Sequence, residues 1–221
     1  MVTSEIKAKI EKTMENLKRN NIKPFYVETK EEVVPLIKTL INEGDTVSNG
    51  GSVTLKQTGV MDLLKSGKYN YLNRSREGIT PEEVEKVYRD TYSADAYFAS
   101  SNAVTESGYL YNVDGNSNRV SAILYGPKSV ILVCGYNKIV KTIDEAVERV
   151  KTCAAPPNTV RLNCDTYCAK EGKCVSLNKE NPEICDGCHS KARICCNFVL
   201  SAQQRHIDRI KVIFVGEELG Y

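Results

Sequence analysis

Ile6, Ile10, Met14 and Leu17 recur at intervals of three and four residues. That is the spacing of one helix face, so the first twenty residues are expected to form an amphipathic helix. "KPFYVET" follows as a candidate strand. Thr29 and Glu32, Thr80 and Glu83, and Thr142 and Glu145 each set a hydroxyl three residues before a carboxylate, the capping-box spacing that opens a helix. Val33, Leu36, Ile37, Leu40 and Ile41 follow the first box, and Ile143, Ala146, Val147 and Val150 follow the third, again at helical intervals. In the second box Pro81 takes the first helical position, where its missing N–H costs nothing.

Between these helices lie short apolar runs: "DAYFAS", "GYLYNV", "SAILYG", "SVILVCG" and "KVIFVGEELG". The first four residues of "VILVCG" and "VIFV" do not alternate with polar positions, as expected of strands buried on both faces. Asp114–Gly115 in "NVDGNSN" predicts a turn closing a hairpin between two of the strands. Helix and strand alternate early and several strands follow, which predicts an α/β fold with a mixed sheet covered by helices. From Cys153 the texture changes to cysteine, Lys, Glu and Asn with little periodicity, beginning at a linker-like "AAPPN". The expected organisation is an α/β core over 1–153, a cysteine-rich insertion or subdomain over 154–204, and a final strand over 205–221 returning to the core.

The 221 residues are 41% hydrophobic and 26% charged, with a net charge of +2. No basic run or aromatic–basic alternation marks a nucleic-acid partner. No apolar run approaches the ~18 residues of a membrane span, and the N-terminus lacks the apolar region of a secretory signal. A cytoplasmic protein is expected.

Nine cysteines change that ordinary picture, since seven fall between Cys164 and Cys196. In a reducing compartment such clustering favours metal or redox chemistry over disulfides. Soft thiolates select zinc or an iron–sulfur cluster. The Cys185–Cys188 spacing occurs in both kinds of site, and His189 is a further candidate ligand. Free or redox-active thiols are the competing reading. Cys134, inside an apolar run, reads as a buried core thiol.

Three polar groups follow apolar strands, where open α/β sheets place their ligands. Asn49, Gly50, Gly51 and Ser52 form either a tight turn with an ordinary cap or a loop that brings backbone N–H groups to an anion. Asn102, Thr105 and Glu106 belong to a dense polar stretch. There Glu106 is either a base or nucleophile or a solvated turn residue. Asn137 and Lys138 follow "VILVCGY", and a lysine at that edge pairs with an anionic group or stays solvated. No GxGxxG fingerprint is present.

Together these motifs resemble the LUD (lactate utilisation) domain family. The residues that carry the likeness are "NGGSVTL" at 49–55, "SNAVTESGYLYNVDG" at 101–115, "NRV" at 118–120, "YGPKSVILV" at 125–133, "NKIV" at 137–140, "AAPPNTVRL" at 154–162 and "GEELGY" at 216–221. Ser117 stands where the family has glycine. The resemblance implies a fold like that of ribose-phosphate isomerase, glucosamine-phosphate deaminase and the CoA transferases, with a small anionic metabolite held beyond the strand ends. Gly50 to Ser52, Asn118, Arg119 and Lys138 would contribute to holding it, and "TESG" looks like the neighbourhood of the CoA-transferase nucleophile, implicating Glu106. Family members with a C-terminal cysteine segment resemble this one at "CAKEGKC", "DGC" and "RICCN". They imply Cys168, Cys174, Cys188 and Cys195 as ligands of an iron–sulfur cluster or zinc. The alternative function is a non-catalytic metal-binding partner of an oxidoreductase complex. A homodimer packed through the N-terminal helix is compatible with either.

Overall fold

The computed structural model describes residues 2–221. Among the described residues there are ten strands: β1 (Lys23–Val27), β2 (Thr46–Asn49), β3 (Asn70–Tyr71), β4 (Ala96–Ala99), β5 (Ala103–Thr105), β6 (Leu110–Asp114), β7 (Ser129–Gly135), β8 (Ile139–Val140), β9 (Asn197–Ser201) and β10 (Ile210–Val215). Six form one wholly parallel sheet in the order β1-β10-β7-β4-β2-β3. The other four form a mixed sheet, β8-β5-β6-β9. The α/β class expected from the sequence is the one observed, with the mixed pairing confined to the smaller sheet.

The apolar runs explain the parallel sheet. Ile131 and Val133 of β7 and Ile213 and Val215 of β10 enter one core cluster, under one face. Val130, Leu132 and Cys134, with Val212 and Phe214, enter another under the opposite face. Each position is therefore buried whichever way it points, and each such side chain contributes about 1.5–3 kcal/mol. Helices cover both faces, α2 (Val33–Ile37), α3 (Val53–Gln57) and α4 (Val60–Leu64) in the first cluster and α1 (Ser4–Arg19) and α6 (Asn118–Leu124) in the second. Of the others, α5 (Pro81–Asp90) follows β3, α7 (Ile143–Arg149) and α8 (Ala155–Arg161) pack with the smaller sheet, and α9 (Tyr167–Glu171) packs on α8. In α1, Ile10 and Leu17 are buried as the spacing required. The box at Thr80 forms in both directions, Glu83 N to Thr80 Oγ1 at 3.3 Å and Thr80 N to Glu83 Oε2 at 2.9 Å.

Three local expectations are corrected. "SAILYG" is the end of α6 rather than a strand. Asp114–Gly115 does not close a hairpin; it joins β6 to α6, because the Asp114 carboxylate accepts the N–H groups of Asn116, Ser117, Arg119 and Val120 (3.1–3.2 Å) and caps that helix. "AAPPN" is no linker. Residues Val150–Ala154 form a π-helical turn that carries α7 into α8. The wider turn accommodates prolines whose rings would clash in an unbroken α-helix. No helix is long and apolar enough to cross a membrane, among the described residues.

Candidate ligand cavity and thiolate centre

The segments that leave the carboxyl ends of β2, β3, β4, β7 and β10 meet around a cavity of about 420 Å³. Gly51 and Ser52 enter it after β2, Arg74 after β3, Ser100 to Asn102 after β4, Lys138 after β7, and Gly220 with Tyr221 after β10. The far wall comes from β6, α6, the π-helical turn and α8.

Lys138 is 4% exposed. Its Nζ donates to Ser100 Oγ at 2.9 Å and Thr54 Oγ1 at 3.2 Å, both neutral oxygens. Burial pulls its pKa down to about 8, opposed by Cys134 and assisted by the Arg149 and Arg119 charges. Arg74 donates to the Tyr88 hydroxyl at 3.1 Å and lies 5.6 Å from the centre of that ring. Arg161 donates to Tyr221 Oη at 2.8 Å and to Asn158 Oδ1 at 2.7 Å. Among the described residues, none of these three cations lies at ion-pairing distance from a carboxylate. The fourth cation, Arg119, is already engaged. It donates to Ser100 O, Asn112 Oδ1, Asn102 Oδ1 and Val113 O at 2.6–3.1 Å and stands 3.8 Å from Asp114. Asp114 is the one Asp or Glu side chain of the lining among the described residues, and the turn before α6 occupies it.

The residues expected from the sequence divide accordingly. Gly51, Ser52, Asn102, Asn118, Arg119 and Lys138 line the cavity, while Asn49, Gly50, Thr105, Glu106 and Asn137 do not. Gly50 is a packing requirement, since a Cβ there would sit 2.8 Å from Tyr97 Oη and 2.9 Å from Arg119 Cγ. Asn49 accepts from Tyr71 Oη at 2.6 Å, fastening β2 to β3. Asn137 Oδ1 accepts Leu219 N at 3.1 Å and so holds the final segment over the cavity. Ser52 caps α3 by accepting Leu55 N at 3.2 Å. Thr105 and Glu106 begin the turn between β5 and β6, where Gly108 N donates to Thr105 O at 2.8 Å. That turn packs on α1: Lys12 Nζ donates to Glu106 Oε2 at 2.7 Å and Asn16 Nδ2 to Glu106 O at 2.7 Å. The Lys12 hydrogen bond holds the Glu106 carboxyl below its usual range. Sequence reasoning passed over Arg74, which lies in the polar stretch "LNRSREG", and Arg161, which follows the double proline. The "VRL" of the family-like "AAPPNTVRL" was the available signal for Arg161.

Beyond the π-helical wall, Cys168, Cys174, Cys188 and Cys195 line a small void of about 30 Å³. Cys164, Cys185 and Cys196 do not line it, and His189 is exposed. Hydroxyls surround the sulfurs: Thr159 and Thr166 lie 3.5 and 3.4 Å from Cys168 Sγ, and Ser176 donates to Cys174 Sγ at 3.3 Å. Arg193 donates to the carbonyls of Cys185, Cys188 and Cys195 at 2.7–3.1 Å, shaping that loop around one guanidinium. Gly187 permits this, because a Cβ would stand 3.0 Å from Arg193 Cζ. Burial and the neighbouring Cys168 and Cys174 push the Cys195 thiol up to about 12. By type the donor set fits a soft metal. As disposed, among the described residues, no three His, Cys, Asp or Glu side chains are grouped so that they could hold a metal ion. Val150, Ala155, Ile194 and Cys195 line both the void and the ligand cavity.

Fold and cavity define an α/β protein with a cation-lined cavity at its strand ends and a thiol-lined void behind it. The chain belongs to the LUD domain family, whose match spans residues 10–215. No curated protein matches it in sequence. Among solved structures it is similar to a DUF162 family protein from Deinococcus radiodurans, at 17% identity and TM-score 0.48, over 96% of this chain and 97% of that one. It is also similar to eIF2B beta from Chaetomium thermophilum, at 17% identity and TM-score 0.33, over 52% of this chain and 41% of that one.

Proposed function

We propose that this LUD-domain protein binds a small carboxylate, lactate or a related hydroxy acid, in the cavity at the strand ends. The observation that carries the reading is the convergence of Arg74, Lys138 and Arg161 on one cavity without carboxylate partners. Lys138 is buried, and a buried cation is ordinarily paired; an anionic ligand supplies its missing partner, with Arg74 half-buried and Arg161 exposed on the same lining. Thr54 and Ser100 are placed to orient it beside Lys138, while Val53, Val113, Val150 and Leu162 give an apolar wall for a short carbon skeleton. Family membership supports the link to lactate utilisation. Glu106 has no part in this reading, since it is spent on α1. Calorimetric titration with lactate and, separately, inorganic phosphate tests it. Binding of lactate that Arg161→Ala weakens is the expected result. Binding of phosphate alone would move the ligand class away from hydroxy acids, and binding of neither would sink the reading.

A second reading rests on a different observation, the four thiols around one void. Here Cys168, Cys174, Cys188 and Cys195 hold an iron–sulfur cluster or a zinc ion, and the protein serves an oxidoreductase complex as a metal-bearing partner. The group would supply electron relay if iron–sulfur and a structural clip if zinc. Anaerobic purification followed by a visible spectrum and metal analysis decides among cluster, zinc and neither.

A further inference from the structure

Among the described residues, four cations line the cavity, and of these Lys138 alone is buried. It is also the one whose charge sits on a primary amine. Nζ is surrounded by neutral groups: Thr54 Oγ1 and Ser100 Oγ accept from it at 3.2 and 2.9 Å, and both residues line the cavity with it. Burial penalises the ammonium form, and a desolvated lysine amine is a nucleophile towards carbonyl carbon. Its pKa near 8 leaves neutral amine present at neutral pH. Gly220 gives room beside the nitrogen. A Cβ there would stand 3.3 Å from Lys138 Nζ and 2.5 Å from Thr54 Oγ1, so the final segment passes the amine without a side chain to cover it.

We propose that Lys138 binds a 2-oxo acid covalently, as an imine, inside the cavity. The proposal rests on the carboxylate reading above and deepens it, since a 2-oxo acid is the two-electron-oxidised counterpart of a 2-hydroxy acid and carries the electrophilic carbon that the hydroxy acid lacks. The Nζ lone pair attacks the carbonyl carbon, and the C=O π pair moves onto oxygen. Two protons pass from nitrogen to that oxygen, which leaves as water as the C=N bond forms. No oxidant or reductant is consumed. The Ser100 and Thr54 hydroxyls, at hydrogen-bond distance from Nζ, are placed to relay those protons. A protonated imine keeps the positive charge of the lysine, so the ligand carboxylate still has a cation beside it.

Borohydride trapping tests the step. The protein is mixed with pyruvate, with and without excess lactate, and reduced, and adducts are located by peptide mass spectrometry. Reduction converts the imine to a stable secondary amine, a mass gain of pyruvate less one oxygen atom. The expected result is an adduct on Lys138 in several-fold excess over every other lysine, suppressed by lactate, which fills the same site without a carbonyl. No adduct, or one spread evenly over the surface lysines, overturns the proposal. If pyruvate or lactate then still binds in a calorimetric titration, only the covalent step falls and the carboxylate reading stands; if neither binds, both fall. An adduct on Lys138 that lactate does not suppress also overturns the proposal, because amine and carboxylate site are then separate.

Discussion

The parallel sheet and the cysteine segment reach order by opposite means. β7 and β10 bury all their side chains except Ser129 and Lys211, most of them in two apolar clusters, so the sheet holds the strand-end loops in place without any ligand. Residues 164–196 hold only α9 and a short 3₁₀ turn. Apart from Thr166, Cys168 and Ser176 their side chains are half-buried or exposed. Their order rests on side-chain hydrogen bonds, chiefly the Arg193 fork. A segment short of apolar burial gains most from a cross-link or a metal, whereas a cavity on a packed sheet has its walls fixed beforehand. The void and the cavity share the wall that contains Cys195.

That contrast is broken most directly by Cys188→Ser. If the thiols hold metal, binding is also folding free energy for the segment. Metal content should fall by more than about tenfold, and residues 164–196 should become sensitive to proteolysis while the sheet stays protected from hydrogen exchange. Equal protease resistance in the variant would show that the segment orders itself.

Lys138→Met tests the other region and should act in two directions. Removing one partner of a buried charged contact costs about 2 kcal/mol or more, roughly 30-fold in affinity for a bound anion. Without ligand the variant should melt higher than wild type, because a buried cation without a carboxylate has been replaced by an apolar chain of similar length. Calorimetry and thermal melts read the two effects, and a loss of ligand-free stability would contradict the placement of the charge.

The same lysine predicts a pH dependence. With its folded-state pKa near 8, Lys138 is cationic at neutral pH and largely neutral by pH 9. Affinity for sulfate, whose own charge is constant over that range, should therefore fall as pH rises through 8, and Lys138→Met should flatten the fall. For the ligand-free protein the sign is reversed. Between about 8 and the ordinary lysine value of 10.5 the unfolded chain binds the proton and the folded one does not. Stability contributed by this group therefore increases with pH across that interval.

The elements with strong period or strong caps were legible in the sequence: α1, α5, β7 and β10 each follow from spacing alone. What stayed hidden depends on side chains meeting from distant segments. Asp114–Gly115 carries a hairpin signal, yet four backbone N–H groups of the following turn converge on the carboxylate and start α6. The double proline reads as a break until a π-helical turn makes room for it. In the site, Lys138 and Gly51–Ser52 were marked by their position after strands, but Arg74 and Arg161 resemble any surface arginine until the fold turns them to one cavity. Ser117 stands where the resemblance led us to expect glycine, and the structure shows a backbone conformation that suits glycine there. Its φ is +63°, a left-handed conformation that costs a residue with a Cβ about 1 kcal/mol. Ser117→Gly should raise the melting temperature by a few degrees at most, the gain being partly offset by the added freedom of the unfolded chain. The ligand cavity should be untouched.

The smallest effect is expected where the family resemblance placed the greatest one. Glu106 lies on the turn between β5 and β6, its carboxylate on Lys12 and its carbonyl on Asn16. Glu106→Gln keeps the shape and can still accept from Lys12, so only the charge component of one ion pair is lost. Lys12 is 62% exposed in that pair, and pairs of this kind contribute at most about 1 kcal/mol. Anion affinity should be unchanged within error, since Glu106 does not line the cavity. A Glu106→Gln protein that melts like wild type but no longer binds or turns over a hydroxy acid would reverse the assignment. It would require the turn to leave α1 and carry its carboxylate to the ligand.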